Sequence, residues 1–558
     1  MKIFRSIHRT EEEKKNIKRH RLLCIAGGLL LGLSFPPVPF PSVLLMFFAL
    51  VPYFAVITER EKLIDINRAT YLFAFFFNLI AIYWVGGWGS ETDPFLMLSG
   101  FLLLFVNPVF FLIPSTLYYF ASRMLKSRQK ALYLFPFFFV TYEYLYMITD
   151  ASFPWVTLGN GLAYFTRYIQ IADIFGALGL SLTVMFINVF LFRAVIAKRN
   201  GIRAMLPYSI TAALLFILPL IYGSSYVNSY KPSGRSIKVG LIQPNLDPWD
   251  KWNGGGVLPL LKNYLELSDK AVKDGAELII WPETALPVYL LDGSYNSEVD
   301  SIYSYIRKNN IYLMTGMPDF RFHRPGESIP GDAKYSRVTD RYFSTYNSVL
   351  LFSPRSPMIS RYGKMKLVPF GERVPFVDKL PFLGDLIKWN VGISGWNVGR
   401  DTVVFKVLKR NSESDTVKIN SLVCFESVFP DFVSGFSKKG AEMIAVVTND
   451  SWYGNSSGPY QHKEIAALRA VENRRSVVRA ANGGISAIID PLGRTLAQTG
   501  MYTKTHLTGD VTLEDRQTFY TRHPLIVPFA ASAVSLLTAL LFIFMKLVQG
   551  IRRRSNPK

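Results

Sequence analysis

Ile-Asn-Ser-Leu-Val-Cys-Phe-Glu-Ser, residues 419–427, is an apolar run that stops at a cysteine and a polar turn. A run of this length bounded by turn residues reads as a buried strand, with Cys424 at its end. The chain has 558 residues and two cysteines, and the other, Cys24, lies in a hydrophobic helix near the start. Cys424 therefore has no disulfide partner in its own region. It is either a core filler or a nucleophile, and its surroundings must decide.

Outward from this run, strand-like segments recur at 236–243, 276–282, 312–317, 346–352, 403–407, 442–448, 477–481, 486–489 and 507–513. Helical patterns fit between them at 258–274, 300–309, 429–438 and 463–472. This alternation over about 300 residues predicts one α/β domain. Segments 320–345 and 375–402 read as long surface loops. The second carries Trp389 and Trp396 among other apolar side chains. It is expected either to pack on its own domain or to dip towards lipid over an active site.

The rest of the chain is far more apolar. Crossing the roughly 30 Å hydrocarbon core takes about 20 apolar residues in a helix. Candidate spans are 22–38, 41–58, 69–88, 95–120, 131–148, 171–192, 205–224 and 525–545, eight in all. Pro108 and Pro114 predict a kink in the fourth. The first ends in Ser-Phe-Pro-Pro-Val-Pro-Phe-Pro (34–41), which lacks a small-residue cleavage site, so it is expected to stay as a span.

Lysine and arginine crowd alternate connections: 2–21, 60–68, 123–130, 198–203 and the tail from Arg552. The intervening loops are nearly bare. By the positive-inside rule both termini are cytoplasmic and the α/β region faces outward. The expected organisation is a basic N-terminus at 1–21, seven spans within 22–225, the outward domain at 226–523, a last span at 524–546 and a basic tail at 547–558. The bias accounts for much of the net charge of +21, and nucleic-acid binding is not read from it.

Metal chemistry finds little support. None of the six histidines is paired at ligand spacing, and no second cysteine is near. Gly454-Asn455-Ser456-Ser457-Gly458 matches the nucleophile-elbow pattern, but it stands too far from the preceding strand and runs into Pro459. A better set is distributed. Glu283 ends a strand in Ile-Ile-Trp-Pro-Glu-Thr-Ala-Leu-Pro (279–287), and Lys364 lies in Arg-Tyr-Gly-Lys-Met-Lys-Leu-Val-Pro-Phe-Gly-Glu-Arg-Val-Pro-Phe (361–376). A thiol with a free pKa of about 8.5 needs a base. A buried carboxylate with a raised pKa can serve, and an ammonium can hold a developing oxyanion. Glu283, Lys364 and Cys424 are thus chemically sufficient. Taken singly, each also fits a turn cap, a surface charge and a core filler.

These segments resemble the nitrilase (carbon-nitrogen hydrolase) superfamily. With the spans, the chain resembles the apolipoprotein N-acyltransferase family. The resemblance rests on Trp-Pro-Glu (281–283), Lys364 with Leu-Val-Pro-Phe-Gly-Glu (367–372), Cys-Phe-Glu (424–426), Thr-Asn-Asp-Ser-Trp-Tyr-Gly (448–454) and Arg-Ala-Ala-Asn-Gly-Gly-Ile-Ser (479–486). Phe-Pro-Trp (153–155) and Gly-Ala-Leu-Gly-Leu-Ser (176–181) add to it in the membrane part.

The resemblance implies an αββα sandwich joined to a helical membrane bundle. It implies a Glu-Lys-Cys triad, with Glu283 as base, Lys364 as oxyanion and thiolate stabiliser, and Cys424 as nucleophile. Glu372 and Glu426 match supporting glutamates, and Trp252 a tryptophan near the substrate. The backbone N–H near Phe425 joins the oxyanion site. Met365-Lys366 stands where a histidine-containing pair is expected, which makes Lys366 a rival to Lys364; the eight-residue step from Lys364 to Glu372 favours Lys364.

The implied reaction moves an acyl chain from a phospholipid, chiefly phosphatidylethanolamine, through a cysteine thioester to the amine of a diacylglyceryl-cysteine on an apolipoprotein. No cofactor is implied. The enzyme is expected to be a monomer of the bacterial cytoplasmic (inner) membrane with its catalytic domain in the periplasm. The alternative is a membrane-tethered amidase or nitrilase with water as acceptor; eight spans argue against it, because a soluble substrate needs none. A transporter is also disfavoured, since apart from Glu143 the span centres hold few ionisable groups. Glu143, in Val-Thr-Tyr-Glu-Tyr-Leu-Tyr (140–146), fits either an interhelical hydrogen bond or a role at the lipid entrance.

Overall fold

The structure is a computed structural model and describes residues 10–88, 94–248, 250–252, 256–377, 395–410 and 412–555. Among these, seven helices are long and apolar enough to cross a membrane: Ser42–Glu59, Leu63–Ala81, Leu96–Met124, Arg128–Ile148, Ile169–Asn200, Ile202–Ser229 and Ile526–Ile551. A further helix, Glu11–Leu33, is apolar only in its last three turns, and its start carries Glu11, Glu12, Glu13, Lys14 and Lys15. It packs along Leu63–Ala81, where Gly28 and Gly32 let the two backbones approach. Seven of the eight expected spans are among these helices; the first, expected at 22–38, falls on Glu11–Leu33, whose charged start keeps it from being long and apolar enough by itself. The kink expected in the fourth falls at Phe111, between Pro94–Phe110 and Leu112–Met124.

The basic connections gather at one end. Arg123 and Arg128 both reach Glu61, and Arg193 reaches Gln129. The other end carries the α/β part, so the helices separate a cationic face from the α/β part.

That α/β part is a two-sheet sandwich. The first sheet contains β1 (Ser236–Gln243), β2 (Leu278–Trp281), β3 (Tyr312–Phe322), β4 (Lys334–Ser336), β5 (Arg341–Ser353) and β6 (Ser356–Gly363). The second contains β7 (Val404–Leu408), β8 (Thr416–Val423), β9 (Met443–Thr448), β10 (Ser476–Ala481), β11 (Ala487–Ile489) and β12 (Thr495–Gln498). The last strand, β13 (Thr505–Thr512), returns to the first sheet beside β1. β1, β2 and β3 are parallel, as are β8, β9 and β10. Both triplets are buried on two faces, which is why they read as continuous apolar runs without alternation. Ile280, Met314 and Val349 from one sheet meet Ile419, Val423 and Val447 from the other. Each such side chain contributes about 1.5–3 kcal/mol on burial.

All ten strand-like segments read from the sequence are strands. The expected surface loop at 320–345 is a correction: β3 runs to Phe322, β5 starts at Arg341, and the two pair from Leu313↔Phe352 out to Phe322↔Phe343. Its side chains are mixed and exposed, so hydrophobic pattern did not signal a strand; the long antiparallel ladder is what holds it. Of the loop at 375–402, residues 378–394 lie outside the described residues.

Helices Val257–Lys273 and Asn296–Asn309 cover the outer face of the first sheet. Pro430–Lys438 and Ser457–Asn473 cover the second, and Ser457–Asn473 also packs on the membrane helices. It is buried along nearly its whole length. Its polar residues are matched across the junction. Gln461 Oε1 accepts from Trp84 Nε1 at 3.1 Å and Trp155 Nε1 at 2.7 Å, and its Nε2 donates to the carbonyls of Pro36 at 2.9 Å and Ala81 at 3.0 Å. Gly176 (φ +65°) breaks the long helix beneath, and the N–H freed at Ala177 is taken by Glu472 Oε1 at 2.8 Å. Arg474 pairs with Asp173 at 2.7 Å and lies over the Tyr226 ring. At Gly458 an added Cβ would meet the Trp84 ring at 2.6 Å, so only glycine permits this approach.

Candidate active site

The C-terminal ends of the parallel strands of both sheets converge, the usual place for a site in an α/β sheet. Glu283 follows β2, Lys364 follows β6 and Cys424 follows β8. All three line one cavity of about 160 Å³. Gly316 on β3 makes room for the Glu283 turn: a Cβ there would lie 2.6 Å from the Glu283 Cα.

Lys364 is 1% exposed and lies between two carboxylates, with Nζ 2.9 Å from Glu372 Oε1 and 3.4 Å from Glu283 Oε1. Burial alone would favour its neutral form; Glu372 and Glu283 outweigh that and hold its pKa above the usual lysine range. Asn347 Nδ2 bridges the same carboxylates, at 2.7 Å to Glu283 and 2.9 Å to Glu372. The Asn449 N–H donates to Glu283 Oε2 at 3.1 Å, and the Val368 N–H to Glu372 Oε2 at 2.8 Å. Burial raises the Glu283 pKa, Lys364 opposes this and Glu372 adds to it. The carboxylate is thus a stronger base than a solvated glutamate.

Cys424 opens the short Cys424–Val428 turn with φ +50°, a conformation that points its side chain out of the strand. Burial, and then the Glu283 charge, raise its pKa, against the pull of Lys364 and a hydrogen bond from Thr448. The resting sulfur is a thiol. Phe425 N lies in the first turn of this helix, where backbone donors have no intrahelical acceptor.

Glu426 is fully buried and acts as a tie. Oε1 accepts from Tyr362 Oη at 2.7 Å and from the N–H of Met365 at 2.6 Å and Lys366 at 3.2 Å, and Oε2 from Val423 N at 2.8 Å. It clamps the Lys364 segment to the Cys424 turn. Lys366 sits outside the cluster, its Nζ 5.1 Å from the Phe429 ring centre, so geometry separates it from Lys364.

Behind the thiol lies a polar chain that sequence spacing did not disclose. His462 Nδ1 meets Asp450 Oδ1 at 2.9 Å, and Nε2 meets Ser427 Oγ at 2.9 Å and the Cys424 carbonyl at 3.1 Å. Asp450 is held by Arg479 and by Thr448. Burial would raise the Asp450 pKa, but Arg479 and His462 hold it below the usual carboxylate range. Burial and Arg479 lower that of His462, against Asp450 and the Cys424 carbonyl, which raise it. Donor atoms of Cys424, Asp450 and His462 lie within 4.8 Å of one another, the single metal-like group among the described residues. The Arg479 guanidinium already occupies Asp450, which disfavours a cation there. The sequence had set all six histidines aside because it looked for local pairs. His462 finds its partners 12 and 38 residues away. Asn347 and Asn449, polar residues in and just after strands, were the other signals missed.

Trp396 is buried and lines the cavity. Trp389 lies outside the described residues. Trp252 is not on the cavity wall, and its Nε1 is buried without a partner among the described residues. Its neighbour Lys251 is buried beside Glu283, with Nζ 3.4 Å from Thr284 Oγ1, and burial lowers its pKa to about 7. Glu143 is also away from the cavity; Oε1 accepts from the Leu158 N–H at 2.8 Å, which anchors the Phe153–Trp155 turn. Phe425 stacks on Phe153, with ring centres 5.9 Å apart. Ser456, the decoy serine, is the N-cap of Ser457–Asn473.

One wall of the cavity comes from the membrane part: Leu96 and Leu103 on the span Leu96–Met124, with Val85 and Phe153 from the turns that follow two other spans; Val368, Phe370 and Trp396 also line it. Glu283, Lys364 and Cys424 thus share a mostly apolar cavity with residues of the membrane part.

Residues 238–520 match the carbon-nitrogen hydrolase family, and residues 27–190 match the apolipoprotein N-acyltransferase N-terminal domain. The chain is 33% identical over 540 residues to the apolipoprotein N-acyltransferase of Chlorobaculum tepidum, covering 95% of this chain and 97% of that one. It is 32% identical to that of Geobacter metallireducens, covering 94% and 95%. Among solved structures, the amidase of Nesterenkonia sp. is 17% identical with a TM-score of 0.35, covering 53% of this chain and 96% of that one. Saccharomyces cerevisiae Nit3, of the nitrilase superfamily, is 18% identical with a TM-score of 0.35, covering 52% and 96%.

Proposed function

This chain belongs to the apolipoprotein N-acyltransferase family, and from that premise we propose that it acylates lipoprotein N-termini from phospholipid through a thioester on Cys424. The observation that carries the mechanism is that Glu283, Lys364 and Cys424 line one cavity together with Leu96 and Leu103 of a membrane-spanning helix.

Glu283 takes the Cys424 proton as sulfur attacks the sn-1 ester carbonyl of the donor. The oxyanion is held by the Lys364 ammonium and the Phe425 N–H. Collapse expels the lysophospholipid alkoxide, which recovers the proton from Glu283. The α-amine of a diacylglyceryl-cysteine then attacks the thioester, Glu283 accepts its proton, and as the amide forms the C–S bond breaks and Glu283 returns that proton to the departing Cys424 sulfur, restoring thiol and carboxylate. The raised thiol pKa ties deprotonation to attack and keeps the resting sulfur unreactive. Glu372 fixes Lys364, and Glu426 fixes the turn. Apolar walls around the thioester limit its loss to water.

Phosphatidylethanolamine is the proposed donor. The enzyme acts as a monomer in the bacterial cytoplasmic membrane with the sandwich on the periplasmic side, in line with the basic connections gathered at the opposite end. Intact-mass analysis of protein incubated with phospholipid tests the reading. Wild type should gain one acyl chain, and Cys424→Ala should not. An adduct that survives Cys424→Ala overturns the nucleophile assignment.

A further inference from the structure

We propose that a second cavity, beside the acyl cavity, binds the phosphodiester headgroup of the donor lipid, with Lys366 as the phosphate partner and Asp150 as the partner of a headgroup amine. This rests on the acyl-transfer reading above and adds a headgroup site to it.

The cavity measures about 190 Å³. One wall is the segment Thr149–Ser152, just past the end of the Phe135–Ile148 helix, and the other is the Met365–Pro369 strip with Arg373. Pro369 lines both cavities, so a single turn separates them. In a glycerophospholipid a glycerol unit separates the ester carbonyl from the phosphorus. A donor whose ester lies at Cys424 and whose chain fills the apolar cavity must place its phosphate about one turn of backbone away. The end of a membrane helix on the sandwich side is also the level at which headgroups sit.

The charges fit this use. Lys366 has its backbone fixed by Glu426 and its ammonium over the Phe429 ring. No carboxylate lies within ion-pair distance of it among the described residues. Such a cation exchanges a ring face for a phosphate oxygen at little cost, and charged hydrogen bonds of this kind are the strong ones. Arg373, which also lines the cavity, is already bound to Asp332 at 2.5 Å. Asp150, exposed on the opposite wall, supplies the negative end. A cation and an anion lining one cavity match a zwitterion, which makes an amine-bearing phospholipid a better fit than an anionic one.

The test uses full-length protein in micelles, with thioester formation followed by intact mass. Donors with matched chains are phosphatidylethanolamine, phosphatidylglycerol and phosphate-free diacylglycerol. Lys366→Ala should lower the rate ratio of phosphatidylethanolamine to diacylglycerol about tenfold, and Lys366→Glu should lower it further. Asp150→Asn should lower the ratio of phosphatidylethanolamine to phosphatidylglycerol. Unfolding temperatures check that the variants fold. Equal losses on all donors, or no loss on phosphatidylethanolamine, overturn the headgroup site while leaving acyl transfer standing. A wild-type protein that forms no adduct with any donor overturns the transfer reading and the headgroup site together.

Discussion

The imidazole of His462 rests against the backbone of Cys424, its Nε2 3.1 Å from the carbonyl oxygen, although 38 residues separate the two. The same carbonyl accepts from Ser427 Oγ at 2.9 Å. Left-handed backbone costs a non-glycine residue about 1–2 kcal/mol, and these contacts hold Cys424 in it. His462 is thus a positioning residue. His462→Ala should lower kcat about tenfold with KM for the donor little changed, while His462→Gln, which keeps a donor, should recover part of it. Alkylation of the thiol by iodoacetamide should change in parallel. A loss confined to KM would contradict this role.

As the proposed base Glu283 must be ionised, and burial raises its pKa above the ordinary 4.5. Its ionised fraction falls as pH drops through that raised value. Thioester formation should therefore show an acid limb with a midpoint above 4.5, and Glu283→Gln should cost about 10²–10⁴ in rate. Single-turnover rates across pH give both numbers. A midpoint at or below 4.5 would falsify the assignment.

Lys251 places a second amine near Glu283, with a pKa of about 7. When charged it favours the carboxylate, so removing it should raise the Glu283 pKa further. Lys251→Met should shift the acid limb to higher pH by up to about one unit. A shift in the opposite direction, or none, would show that Lys251 does not act on Glu283.

Gln461 satisfies two indole N–H groups and two carbonyls inside the junction. Gln461→Leu removes the partner of the Trp155 indole N–H and of the Pro36 carbonyl, at about 1–3 kcal/mol each, whereas Trp84 Nε1 and the Ala81 carbonyl still meet at 3.1 Å. Thermal unfolding in detergent should show a lower midpoint, and proteolysis should cut faster near Trp84. An unchanged midpoint would mean that other contacts carry the junction.

Trp396 closes the cavity near the thiol. Trp396→Ser should raise hydrolysis of the thioester relative to transfer to amine. The ratio of free fatty acid to N-acyl product reads this directly.

The sandwich strands were legible because they are buried on both faces and read as apolar runs. Glu283, Lys364 and Cys424 were legible as chemistry, but only their resemblance to a known set joined them. What escaped was long-range polar pairing. Asn347 reads as an ordinary strand residue, yet it bridges two carboxylates. His462 and Gln461 look like two polar residues at a helix start, yet one supports the nucleophile and the other the membrane junction. The β3–β5 extension was missed because its stability lies in backbone pairing, which side-chain patterning does not encode.

Ser457–Asn473 is a wall of the catalytic sandwich and a face of the membrane bundle at once. No surface exists along which the reactive half can be cut free and remain whole. Biogenesis is constrained accordingly: the spans before residue 230 emerge first and form the template on which this helix is seated. A lesion at Trp84, Trp155 or Gly176, hundreds of residues from Cys424, should therefore surface as impaired chemistry in cells even when insertion into the bilayer is normal.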